Sequence, residues 1–519
     1  MTSFFWRQNA VWASIMAFSL SLAALLSSGC QREVWDSNPD HDLRFSTDTL
    51  FFDTVFATVG SVTLPLKVYN DHEGSLLIDE IELASGVASQ YRINVDGAPI
   101  TNLSQPYRDK VLHAGDSMYV FVEVTVDPEQ SAGDSPFWVI EALRFLTNGN
   151  EQEVTLVARG QNARFYGDPN EIAIDLCDEV WTSDLPYVIY GRLRVPDGCT
   201  LTIEPGTDIY AHSGSGIWVD GGTLVADGEL ESPITFQGDR LDDAYADAVG
   251  QWGIGVDLTL PTEESLINYS VFRGGIWMSY ANECRLNHVQ LSQATVGLWV
   301  DSVAVGADYA LRITNSMVTQ AESIGILSQS GHIEGYNNLF SDCGQACGYF
   351  ALGGDVQMHL TTFANYGSGS GGIRQFPTLY LNDWYEAADG SLQLRPFSSD
   401  SEWRNCIAYG NNAGLTDFSE VVVDLFDAEA YASPLITASA IHHQEPMFPD
   451  WIYDGNTTVN QVPPFVNPFG GDFNIDGTST VWNGISSTPP FDVFEVSTDL
   501  NGMPRNTSNP TKGCLERIP

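Results

Sequence analysis

Two patterns of apolar and polar positions divide the chain. From Leu43 to about Arg164, short runs alternate strictly, as in "LLIDEIEL", "YRINVDG" and "SMYVFVEVTVDP". Turn signals (Asn-Asp, Asp-Gly, Ala-Gly-Asp, Asn-Gly-Asn) separate them, and that combination predicts an antiparallel β-sandwich. Beyond it, one short apolar strand keeps restarting after a glycine. "GIWVDGGTLVADG" begins at Gly216, and fragments return as "GIGV" at Gly253, "GIWM" at Gly275, "GLWV" at Gly297, "GILS" at Gly325 and "GYFA" at Gly348. The intervals are 37, 22, 22, 28 and 23 residues. A period in the low twenties predicts stacked supersecondary units. The leucine-rich-repeat frame is absent and no helical period runs between Cys199 and Ile407, so a parallel β-helix is expected. The repeated glycine would serve a left-handed or a close-packed turn before each strand.

Two residue types recur with the strands. Asparagines follow or interrupt apolar pairs at Asn268, Asn287, Asn315, Asn337, Asn338 and Asn405. Stacked at one corner, their amides would bond to the coils above and below, a structural ladder preferred here to a sugar contact. Trp218, Trp277 and Trp299 lie two places after the glycine, with Trp252 nearby. Stacked inward they are core, the reading the pattern favours; stacked outward they form a candidate sugar platform. From about Ala432 to Pro519 the chain is rich in Pro, Asn, Gly and Thr and predicts an irregular cap that closes the solenoid.

Charge narrows the partners. With 22 basic and 67 acidic residues the formal net charge is −45, and lysine occurs only as Lys67, Lys110 and Lys512. Nucleic acid is an unsuitable partner for such a chain. The N-terminus reads as an export signal: Arg7, the apolar run Val11 to Leu26, then "SSGC" ending at Cys30. Small residues before Cys30 resemble a bacterial lipobox, with Ser27 where that motif has leucine; similar relaxed boxes occur in lipoproteins of the Bacteroidetes type. The resemblance implies acyl chains on Cys30 and a membrane as partner, at the periplasmic or surface face of the outer membrane. Export allows disulfides, and among the seven later cysteines Cys177 and Cys199, flanking a strand pair, are the expected bond. Cys343 and Cys347 lack metal-knuckle spacing and read as structural.

The order "TVGSV", "AGDS", "TNG", "LVARG" resembles immunoglobulin-like modules of the abnormal-spindle and choice-of-anchor type, which bring no catalytic residue. "LTIEPGT" followed by "GGTLVADG" and "PITF" resembles the opening coils of exported right-handed parallel β-helices with the pectin-lyase-like fold. "GDRLDDAYADAVGQWGIGVD", and the tail "STDLNGMPRN", are similar to stretches of Bacteroidetes β-helix lipoproteins. These resemblances imply a fold and no activity. The expected organisation is a signal peptide (1–30), a tether (31–42), a β-sandwich (43–164), a right-handed β-helix (165–431) and a cap (432–519).

Exported β-helices include polysaccharide lyases and hydrolases, so catalysis needs a chemical test. No lysine lies between Lys110 and Lys512, and of the polygalacturonase motifs only "DD" at Asp242 and Asp243 is present. The acidic loop places Asp239, Asp242, Asp243 and Asp247 close in sequence, the best candidates for calcium ligands or a paired acid and base, against a solvated insertion. His442 and His443 read as surface loop residues. The expected function is noncatalytic adhesion or glycan binding, with a polysaccharide or envelope protein as partner. A lyase or hydrolase, and a structural or assembly component of the envelope, are the alternatives.

Overall fold

The computed structural model describes residues 34–56, 60–127, 137–167, 173–241, 245, 248–253, 275–367, 374–386, 390–414, 418–427, 431, 435–443, 452–477, 479–485, 497–506 and 508–517. The chain divides into two compact units between Gln161 and Asn162.

The first unit is a sandwich of two five-stranded sheets. Its strands are β1 (Arg44–Phe45), β2 (Thr49–Phe56), β3 (Leu64–Tyr69), β4 (Leu76–Leu83), β5 (Tyr91–Val95), β6 (Ala98–Pro99), β7 (Tyr107–Leu112), β8 (Ser117–Val124), β9 (Phe137–Thr147) and β10 (Asn150–Gln161). One sheet runs β1-β3-β8-β5-β6 and the other β2-β10-β9-β4-β7. Pairings are antiparallel except β2 with β10. The alternation does what it predicts: Met118, Val120, Val122 and Val124 point inward against Phe145, Leu156 and Ile78, while Tyr119, Phe121 and Glu123 face solvent. Each buried side chain of this size contributes roughly 1.5–3 kcal/mol.

The second unit is a three-sided parallel β-helix. Successive strands visit three sheets in turn, of eleven, nine and nine strands, and each strand pairs with the one a full coil later. On the second sheet the register column Leu193, Ile217, Ile276, Leu298, Ile326, Gly348, Leu379 and Val421 lines the lumen. The neighbouring residues of alternate parity point outward. One contiguous apolar core fills the lumen from Leu176 to Ile452. That burial, on strands too short to be stable alone, makes stacking obligatory.

The glycine series is not wholly equivalent. Gly216, Gly275, Gly297 and Gly325 share one register column, but Cys347 occupies the next place and Gly348 lies one residue on, facing the lumen. Gly253 belongs to a corner bridge with Ser213. Close approach of the neighbouring coil explains two of them: a Cβ on Gly297 would meet the Gly325 carbonyl at 2.5 Å, and one on Gly325 the Cys347 carbonyl at 2.7 Å. Gly253 and Gly275 have positive φ, 89° and 23°, and a further left-handed column runs along the corner between the third and first sheets. There His288, Asn315, Asn337, Leu360, Asn405 and Ala438 all have φ between 46° and 61°.

Cys177 and Cys199 form a disulfide across the first coils, with Cα atoms 4.7 Å apart. Cys284, Cys343, Cys347, Cys406 and Cys514 are free and buried. The C-terminal zone adds closing strands at Ile436–Thr437, Ala440–Ile441 and Thr458–Val459. It then folds back along the flank instead of remaining at the solenoid end. Phe473, Leu500, Cys514 and Leu515 cover Leu339 and Ala364 on the outer face of the first sheet.

Candidate functional site

The structure separates the candidate residues into four settings. The tryptophans come first. Trp218, Trp277 and Trp299 are consecutive rungs of the outward column of the second sheet, continued by Leu327, Tyr349 and Tyr380. Trp218 and Trp277 stack at 5.2 Å with planes 9° apart, and Trp277 and Trp299 follow at 5.8 Å. The column faces out of the lumen, yet Trp277 is 2% and Trp299 1% exposed. They form an outer apolar cluster with Val296, Ile324, Leu352 and, at its edge, Tyr385. Neither sequence alternative describes this: the stack is outward and covered. Trp218 is half-buried, with the Arg194 guanidinium 5.3 Å from its ring. Trp252 is not equivalent to them. It is buried in the lumen core and donates its indole N–H to the Ser292 carbonyl.

The asparagine ladder forms at the left-handed corner. Asn315 Nδ2 donates to Asn287 Oδ1 at 2.9 Å, and Asn337 Nδ2 donates to Asn315 Oδ1 at 2.8 Å. Arg505 from the C-terminal tail then donates to Asn337 Oδ1 at 2.6 Å. Asn338, offered by the sequence as a rung beside Asn337, turns inward, donating to the Ile313 carbonyl and accepting from the Ser316 amide. Residue parity explains the difference: Asn337 holds the left-handed turn residue and Asn338 the next inward position. Leu360 interrupts the ladder, and Asn405 bonds to both backbone groups of Ile485. Asn268 lies outside the described residues.

Of the acidic loop, Asp242, Asp243 and Asp247 lie outside the described residues, as does Cys30. Asp239 follows the strand Ile234–Gly238 and sits beside His212, which follows the strand Asp208–Ala211 one coil before. His212 Nδ1 is 2.6 Å from Asp239 Oδ2, and the Tyr190 ring lies 4.8 Å from the imidazole. The carboxylate's hydrogen bond raises the His212 pKa, against the opposing effect of burial. His212 is about half exposed, so the pair is an oriented imidazole open to solvent. Chemically it is a base with a fixed tautomer partner. Nothing in the sequence spacing announces it, because the two residues meet only through coil stacking. His442 and His443, expected at the surface, are buried, packing beside Tyr409 and Tyr453.

The fourth setting is in the sandwich, which motif reading left without a site. A cavity of about 550 Å³ opens on the sheet containing β5, β6 and β8, lined by Thr63, Arg92, Asn94, Pro99, Thr101, Phe121 and Glu123, among others. Asn94 stands opposite Phe121, and Arg92 opposite Glu123, in the β5–β8 register. Phe121 continues into Tyr119, the rings stacked at 5.8 Å with planes 18° apart and both exposed. Asn94 Oδ1 is shielded from solvent with no hydrogen-bond donor among the described residues. A shielded acceptor without a donor costs about 1–3 kcal/mol, which is unusual in a strand. The signal available in sequence is the outward row "Y.F.E" of β8, two aromatics and an acid where a solvent face is ordinarily charged.

No family model matches the chain, and no curated protein matches it. Among solved structures, the catalytic unit of a thermostable GH87 α-1,3-glucanase from Streptomyces thermodiastaticus strain HF3-3 matches 77% of this chain and 79% of its own, at 9% identity and a TM-score of 0.21. A protein of unknown function from Porphyromonas gingivalis W83 matches 25% of this chain at 10% identity and a TM-score of 0.18; the chain spans half of that protein's length. The periplasmic chaperone SfaE matches 23% of this chain and 58% of its own, at 10% identity and a TM-score of 0.16. Scores this low bear on neither fold nor activity.

Proposed function

We propose that the chain is an exported envelope lipoprotein, held on a membrane by acyl chains at Cys30, that binds a glycan without cleaving it. The binding surface in this reading is the sandwich cavity rather than the solenoid. The observation that carries it is a cavity whose lining joins the exposed Phe121 ring to Asn94, whose shielded Oδ1 has no donor among the described residues. A sugar ring lays its C–H face on Phe121, as aromatic platforms allow, and its hydroxyls accept from Arg92 and donate to Glu123, and to Asn94 once that side chain turns its shielded Oδ1 into the cavity. About 550 Å³ suits one or two sugar rings. Burial of Trp277 and Trp299 counts against the tryptophan column as the platform and leaves only half-buried Trp218 in reach of a sugar.

The test is a glycan array followed by calorimetry with the full chain and with Asn94→Ala and Phe121→Ala. Each variant should weaken binding about five- to thirtyfold, since each removes a directional or stacking contact of about 1–2 kcal/mol. Retention of full affinity by both variants would remove the pocket from the reading. A second reading, a polysaccharide lyase or hydrolase, is favoured by the His212–Asp239 pair, which supplies an oriented base. It predicts product release that disappears in His212→Ala. The third, an assembly role, draws on Phe51, Trp138 and Ile140, exposed together on the outer face of β2 and β9. It predicts an envelope protein captured by the unaltered chain and lost in Trp138→Ser.

A further inference from the structure

We infer that the segment leading into the sandwich carries a transition-metal site formed by Asp36, His41 and His72. One ligand atom from each side chain lies within 4.8 Å of the other two. The segment is already docked there. Trp35 bridges Ser75, the Asp36 amide donates to the Ser75 carbonyl, and the Ser75 amide donates to the Val34 carbonyl. Asn148 and Asn150 hold the carbonyls of Asn38, Pro39 and His41. This backbone clamp sets the stretch Asp36–His41 over the turn between β3 and β4, where His72 sits.

The ligand side chains are oriented before any ion arrives. Asp36 Oδ1 accepts the Asn38 amide, which leaves Oδ2 for His41 Nδ1 at 2.6 Å. The two imidazoles lie parallel with centroids 4.1 Å apart. His72 Nε2 meets the Asp42 carbonyl at 3.0 Å. Donation of Nε2–H to that carbonyl fixes the tautomer and leaves the Nδ1 lone pair unprotonated, the outer-shell arrangement that metal-binding histidines use. All three side chains are partly buried, so an ion would keep a water as fourth ligand.

The donor set selects the ion. Two imidazoles and one carboxylate suit Zn²⁺, Co²⁺, Ni²⁺ or Cu²⁺ and not calcium, which requires six to eight oxygens. Binding replaces the proton held between His41 Nδ1 and Asp36 Oδ2, which leaves to solvent, and one imidazole turns out of the parallel stack so that the in-plane lone pairs converge. Asp40, Asp42 and Asp71 stand nearby in sequence and add negative potential, Asp71 being partly offset by Arg44. The ion would then staple the stretch before β1 to the β3–β4 turn and fix the direction in which the sandwich leaves its tether.

The experiment titrates Zn²⁺ into the detergent-purified, EDTA-stripped full chain by calorimetry, with Co²⁺ absorption as a second probe of coordination. Unaltered chain should take up one ion that His41→Ala and His72→Ala bind at least about tenfold more weakly, with His113→Ala unchanged. Zn²⁺ should also slow proteolysis within residues 36–42, reversibly with EDTA, in the unaltered chain and not in His72→Ala. His72→Gln, which retains a polar side chain against the Asp42 carbonyl, separates lost ligation from a loosened turn: it should keep the unaltered proteolysis rate without metal and lose the protection. Equal Zn²⁺ affinity in both alanine variants, no uptake by the unaltered chain, or uptake without protection would overturn the inference.

Discussion

Replacing Asn315 by alanine should destabilise the solenoid by about 3–4 kcal/mol. Three terms make up that figure. Asn315 has φ of 50°, a conformation that asparagine tolerates and that costs an alanine of order 1 kcal/mol more. Its Oδ1 is the acceptor for Asn337 Nδ2, and Asn337 is 0% exposed. Removing that acceptor therefore strands a buried donor, at about 1–3 kcal/mol. Its own donation to Asn287 is worth less, about 0.5–1 kcal/mol, because Asn287 Oδ1 keeps the Thr314 hydroxyl. Glycine at 315 relieves the backbone term but restores roughly 0.5–1 kcal/mol of unfolded-chain entropy. The two variants should thus fall within about 1 kcal/mol of each other. Urea unfolding followed by tryptophan fluorescence reads the solenoid selectively, since nine of the 13 tryptophans follow residue 161. A loss under about 1 kcal/mol in Asn315→Ala would refute the reasoning, because the ladder amides would then be worth no more than their solvation.

Three further outcomes follow from other parts of the fold. Burial pushes the His359 pKa down to about 4, against the nearby Glu402 carboxylate. Above pH about 6.5 this residue is neutral in both states; between there and about 4 only the unfolded chain takes up the proton, so stability falls with decreasing pH by up to about 1.4 kcal/mol per unit. In His359→Gln, urea midpoints measured across pH 7 to 4 should flatten by that contribution, and an unchanged slope counts against it. The double substitution Cys177→Ser with Cys199→Ser opens a 22-residue separation and should cost about 3 kcal/mol, seen as a lower urea midpoint without loss of β-sheet circular dichroism. Trp277→Ala should cost about 3–5 kcal/mol and leave glycan affinity as it is; weaker binding with unchanged stability would make Trp277 a platform after all.

The fold was legible to the extent that it follows from parity and period. Strict alternation in "SMYVFVEV" fixes an inner and an outer face, and a 22-residue interval fixes which residues stack, so the sandwich and the parallel coils follow. Register is finer than period. "GYFA" has the same glycine-then-apolar form as "GILS" but sits one residue out, because Cys347 takes the place opposite Gly325. Asn337 and Asn338 were equally good rungs on paper, and only the left-handed φ of 61° at Asn337 separates them. The His212–Asp239 pair, 27 residues apart, and the Asp36–His41–His72 group were invisible for a different reason. Their members meet through stacking or through a turn, and no local motif encodes either meeting.

The tryptophan stack shows why outward parity does not mean exposure in a solenoid. Alternation assigns Trp277, Trp299, Leu327 and Tyr349 to the outside of the second sheet, and a bare outer column of that kind would be a sticky strip along the coils. An apolar outward column at the coil period therefore requires a second layer, and here Leu352 and Tyr385 supply part of it. The first sheet repeats the logic: Leu339 and Ala364 point outward and are covered by Phe473, Leu500 and Leu515 from the C-terminal tail. Buried Arg505 locks that tail to the top of the asparagine ladder through Asn337, and buried Lys512 to the last coil through Thr458 and the Asn456 carbonyl. Irregular, proline-rich sequence is what such a cover needs, since it must follow a surface whose own spacing is fixed by the coils beneath. Among the described residues of the solenoid, the corner bearing His212 stays open and Val180, Tyr280 and Val305 are exposed apolar positions, while in the sandwich the outward aromatics Tyr119 and Phe121 stay exposed.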